Sequence, residues 1–164
     1  MPTGVTTETA LLLDYLGGAR RHVLGALDGL DDEALRRPVL PSGWSCLGLV
    51  RHLALDVEQF WFRRVVAGET LADLAGDAWQ VPPHVSASDV LATYVRQAEL
   101  ADAVIRTTSL DAPPMWWPDR FGDFRMGDLR EVILHVLVET ATHAGHLDAA
   151  RELIDGRQWL VLTD

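Results

Sequence analysis

The segment "LREVILHVLVETATHAGHLDAARELIDG" near the C-terminal end constrains the fold more than any other stretch of this chain. Leu129, Val132, Ile133, Val136, Leu137, Ala141, Ala144, Leu153 and Ile154 recur in it at helical spacing. The spacing predicts a long amphipathic helix that must bury one face against other elements. Along the border of that face run four metal-capable side chains, His135, Glu139, His143 and His146, at steps of four, four and three. Residues so spaced sit on one stripe of a helix, with neighbours about 5–6 Å apart at Cβ. On a wheel of roughly 100° per residue they fall within an arc of about 80°. A fifth candidate, His52, lies far upstream.

Three further helices are expected. The first covers about 7–30, with Thr6 or Thr7 as its cap and Glu8 near its positive end. "PSGWS" then breaks the chain after a short connection. Ser45 caps a second helix to about Ala67, stopped by Gly68. The third covers about 89–108, capped by Ser86 or Ser88. Asp128 and Glu131 resemble a capping box at the start of the fourth, and Gly156 is a left-handed cap at its end. Long connections precede the third and fourth helices, and the second of them carries Trp116 and Trp117. The tail is expected to pack back through Trp159 and Leu160. With no convincing strand, the expected fold is all-α: an antiparallel four-helix bundle in one domain over 1–164, its open end roofed by the long loops. Bundle interiors are common places for metal sites built from facing helices.

Composition narrows the function. A chain of 164 residues that is 48% hydrophobic can bury a core. The net charge of −10 argues against nucleic acid and against an anionic membrane surface. The single cysteine, Cys46, excludes an intrachain disulfide and suits a reducing cytoplasm. The N-terminal segment lacks the basic start and apolar run of a signal peptide, and no run is apolar enough to span a membrane.

The chemistry rests on whether the two histidine-bearing segments meet. Glu139 borders a buried face, where a carboxylate needs a cation or several donors. A divalent ion shared with imidazoles would satisfy it; so would a hydrogen-bonded Glu–His cluster or a wet helix face, and the residues alone do not choose. The second helix is apolar almost all round, except for a strip of Ser45, His52, Asp56, Gln59 and Arg63. That strip is either its solvent edge or the polar wall of a pocket with His52 as ligand. Two imidazoles and one carboxylate leave coordination positions open, the mark of a catalytic rather than a structural ion. Zinc, iron, nickel and manganese all suit such a set. An open position would take a water or a substrate thiol. His22 and His84 read as partnerless surface histidines, and Arg120 and Arg125 as loop cations able to bind a carboxylate.

The pieces "PSGWSCLGLVRHLALDVEQFWF" and "HVLVETATHAGHLDAARELIDG" resemble the DinB-like superfamily. More narrowly they are similar to an actinobacterial branch near the N-terminal domain of mycothiol-dependent maleylpyruvate isomerase. The resemblance runs from the first helix to Gly156. It implies one divalent ion, zinc first and nickel, iron or manganese otherwise, held by His52, Glu139 and His143. His146 and His135 would then be pocket wall or orienting residues, with Asp56 beside them; no residue is assigned a direct catalytic role. It implies a thiol transferase that uses mycothiol or a similar thiol against an electrophilic small molecule. The isomerase carries an extra C-terminal domain that helps form its site, so isomerase activity itself is not expected here. The other readings are a metal-assisted hydrolase, with Asp56 or His146 as base, and a non-catalytic, stress-related metal- or ligand-binding protein. The aromatics of the second helix could pair such a protein as a homodimer.

Overall fold

A computed structural model describes residues 5–159. Among them the protein is all-helical, with five helices and no strand. Helix α1 spans Thr7–Leu27 and is capped by Thr6, whose side chain accepts from the Thr9 amide. The expected extension to residue 30 does not form. Asp31 instead caps a short separate helix, α2, over Asp32–Arg36 by accepting from the Ala34 amide. The "DGLDDEAL" stretch therefore holds a stop and a new start. The connection to the next long helix is longer than expected, because it contains a helix of its own.

Helix α3 begins at Cys46, with the Ser45 side chain accepting from the Gly48 amide, and runs to His52. It continues without a break as a wider helix over Leu53–Val66. There the backbone bonds reach five residues back rather than four; at its end the Ala67 amide donates to the Phe62 carbonyl at 3.0 Å. The expected stop is found, with Gly68 at φ 67°. Helix α4 spans Ala87–Thr107 and takes Ser86 rather than Ser88 as its cap. Helix α5 spans Leu129–Asp155. Its Asp128 cap accepts from the Glu131 amide, and the Glu131 carboxylate accepts from Gly127 at 2.6 Å. Gly156, at φ 75°, closes it in the left-handed conformation.

Helix α1 packs along α5, and the wide helix packs along α4 and also meets α5. Leu16, Val23, Phe62, Ile105, Leu129, Ile133 and Leu147 lie in the shared core. Phe60, Trp61 and Phe62 are buried within this core too, so the second helix cannot offer them to a partner subunit as expected. Trp159 packs on the backbone at Gly25 and stacks on His22 at 6.1 Å. Leu160 lies outside the described residues. No helix among the described residues is long and apolar enough to cross a membrane.

Candidate metal centre

The two histidine-bearing segments meet. On α5 the buried face steps by four, four and three through Val136, Thr140, Ala144 and Leu147. Glu139 and His143 each stand one residue before a member of that row, so they sit at its rim, half-buried. Helix α3 ends at His52, whose ring stands edge-on to His143 at 5.3 Å. One donor atom each from His52, Glu139 and His143 lie within 4.8 Å of one another. Donors about 2.1 Å from one ion at tetrahedral angles are roughly 3.4 Å apart. The three groups therefore need only a modest closing of side chains to hold a single ion, and the donor set suits one.

Both imidazoles are oriented by neighbours. The Nδ1 edge of His52 is taken by the Asp56 carboxylate at 2.9 Å, one turn further on, which leaves Nε2 for an ion. A carboxylate behind a ligand imidazole fixes its tautomer and raises its basicity. His143 has Nε2 3.5 Å from the Glu139 carboxylate, and its Nδ1 faces Nδ1 of His146 at 3.3 Å. Burial, helped by the nearby His52 ring, holds the His143 imidazole below the ordinary histidine range. That favours the neutral form a ligand needs. His135 is also held low by burial. Its ring stands edge-on to Trp61 at 4.7 Å, and among the described residues it makes no hydrogen bond to Glu139.

Three contributors went unforeseen. Trp79, in the connection after the wide helix, stacks on the His52 ring at 4.4 Å and meets His143 at 5.7 Å. Arg51 holds it there. Its Nη1 donates to the carbonyls of Asp77, Ala78 and Gln80 at 3.1, 3.2 and 2.9 Å. Gly48 completes the seat: a Cβ at that position would collide with the Trp79 carbonyl. A lone aromatic in a loop carries no periodicity, so Trp79 had no sequence signal.

Trp116 and Trp117 join Phe60, Trp61, Phe121 and Phe124 in an aromatic cluster, in which Trp61 also meets His135. His22 is not partnerless, since its Nε2 lies 2.7 Å from the Asp148 carboxylate. Cys46 is buried, and burial pushes its thiol up to about 11, which removes it as a nucleophile.

His52, Glu139 and His143, two imidazoles and a carboxylate from two helices, form a candidate cluster for a metal ion in an all-helical protein. A family model described as mycothiol-S-transferase matches residues 11–156. The chain belongs to that family. No curated protein and no solved structure matches it.

Proposed function

We propose that this protein is a metal-dependent mycothiol S-transferase that joins the thiol to an electrophilic small molecule. The observation that carries the reading is the convergence of His52, Glu139 and His143 within 4.8 Å in a chain of the mycothiol S-transferase family. These three are the proposed ligands, and zinc is the proposed ion. When bound, the ion lowers the pKa of a thiol at its open position, so that the nucleophilic thiolate is present at neutral pH. The chain's own residues do the rest. Asp56 holds the His52 tautomer, His146 steadies His143 from its Nδ1 side, and Trp79 covers the His52 ring. Asp56 is engaged with His52, which argues against a role for it as the free base of a hydrolase. The helices α1, α3 with its wide continuation, α4 and α5 are read as an antiparallel four-helix bundle forming one domain. The single cysteine and the small thiol partner suit a cytoplasmic detoxification role.

The test is direct. Protein freed of metal and reloaded with zinc is mixed with mycothiol and 1-chloro-2,4-dinitrobenzene, and the thioether is followed by absorbance. Conjugation above the uncatalysed rate, lost in H143A and in metal-free protein, is expected. Zinc binding without conjugation, for this and other electrophiles, would leave a metal protein and end the transferase reading.

A further inference from the structure

Beside the ion site lies a cleft of about 450 Å³, lined by Leu55, Asp56, Phe60, Leu74, Arg64 and Arg120 among others. Such a volume suits a small molecule. None of the three proposed ligands lines it, but Asp56, which accepts from His52, does, so it reaches the proposed metal centre through that residue. Leu55, Phe60 and Leu74 give it apolar lining, and Asp56, Gln59 and the arginines give it polar lining. Its two cations differ in what occupies them. Arg64 is neutralised: its Nη2 donates to the Asp73 carboxylate at 2.8 Å and to the Leu71 carbonyl at 3.2 Å. Arg120 has no carboxylate or carbonyl partner among the described residues. Its guanidinium instead lies over two aromatic faces, 5.0 Å from the centre of Phe60 and 5.1 Å from that of Phe121.

A guanidinium stacked in this way is pre-oriented while its N–H edge stays free. It is arranged to receive a planar carboxylate by paired hydrogen bonds. In a chain of net charge −10, an uncommitted cation beside the apolar side chains of Phe60 and Leu74 is a selective feature for an anion.

We infer that this cleft binds the electrophile, and that Arg120 selects electrophiles with an apolar body and a carboxylate. The inference rests on the transferase reading for the reaction but not for the binding. A fitting substrate is 4-(chloromethyl)benzoate. Its ring lies against Phe60 and Leu74 and its carboxylate meets Arg120. The mycothiol sulfur forms a bond to the benzylic carbon as the carbon–chlorine bond breaks. Chloride leaves with the electron pair, and the thiol proton passes to solvent.

Binding is tested apart from turnover. The unreactive 4-methylbenzoate and 4-methylbenzamide are titrated into zinc-loaded protein and followed by ligand-detected NMR. The expected result is at least tenfold tighter binding of the acid, with that preference lost in R120Q. It should be kept in R125Q, whose arginine stacks on Trp117 outside the cleft. Arg120 is exposed on a short 3-10 turn over Asp119–Phe121, so circular dichroism should report R120Q as folded. Equal binding of acid and amide, no binding of either, or an acid preference that survives in R120Q through the ion or Arg64 would each overturn the assignment. The two readings fail separately. Arg120-dependent acid binding with no thioether keeps the subsite and removes the transferase. A thioether formed equally from 4-(chloromethyl)benzoate and its amide does the reverse.

Discussion

Asp56 shows how much a single residue decides at this site. Its carboxylate holds Nδ1 of His52, so only Nε2 is left for the proposed ion. Loss of such an orienting carboxylate costs about 10–100-fold in metal affinity. D56A is therefore expected to weaken zinc binding by that factor, and D56N by less, since an amide oxygen still accepts from Nδ1–H. Competition against a chromogenic chelator measures both; an unchanged affinity in D56A would remove Asp56 from the site. Cys46 makes the opposite case. With its thiol pushed up to about 11, only about one molecule in a thousand carries thiolate at pH 8, and the sulfur is buried as well. Ellman's reagent at pH 8 should leave native protein unlabelled and titrate one thiol after denaturation in guanidinium. At this scale the sequence was informative where chemistry repeats at helical spacing. Glu139 and His143, one turn apart, announced themselves, and His52 with Asp56 did so two long helices earlier. Residue type could not order the other imidazoles: His146 and His135 share the same stripe, and only packing sends one toward His143 and the other against Trp61.

Among the elements, the caps were the most legible part of the chain. Ser45, Ser86 and Asp128 each accept from the amide three residues on, because their short side chains can reach the free N–H groups of the first turn. The wide winding after His52 was not legible, since a register of five residues leaves no distinctive pattern among closely packed apolar residues. The connection that seats Trp79 was equally silent. Its order comes from the helix beneath it, through Arg51 and through the missing side chain of Gly48. G48A should therefore act on the loop rather than on the helix, since alanine is otherwise the better helix former. The added methyl pushes the Trp79 carbonyl away at a cost of about 1–3 kcal/mol. Trp79 should then leave the His52 ring. In a background where the other tryptophans are replaced by phenylalanine, Trp79 fluorescence should become more open to acrylamide in G48A and in R51A. Quenching that stays at the parent level in both would mean that neither residue seats the loop.

At the scale of the whole molecule, a buried ionic knot ties α1, the wide helix and α4 together. Glu58 is fully buried and accepts from Arg20 at 2.6 and 2.7 Å, while Arg20 also donates to Asp102 at 2.6 Å. Burial raises the Glu58 carboxyl, against the pull of Arg20. The signal for this knot was present in sequence: Glu58 stands one turn from buried Ala54 and Phe62, and Arg20 stands between Leu16 and Val23. A charge in the centre of an apolar face needs a partner, and each of these is the other's. Removing one member strands the other, which costs about 3–5 kcal/mol, whereas replacing both with apolar residues of similar size is often close to neutral. R20M and E58M are each expected to lower the urea midpoint strongly, and R20M/E58M to recover much of the loss. Zinc affinity of the double variant should stay near that of the parent, because neither residue belongs to the cluster of His52, Glu139 and His143. Single-variant losses that simply add in the double variant would show that the two charges are independent. The helices would then be held in register by apolar packing alone.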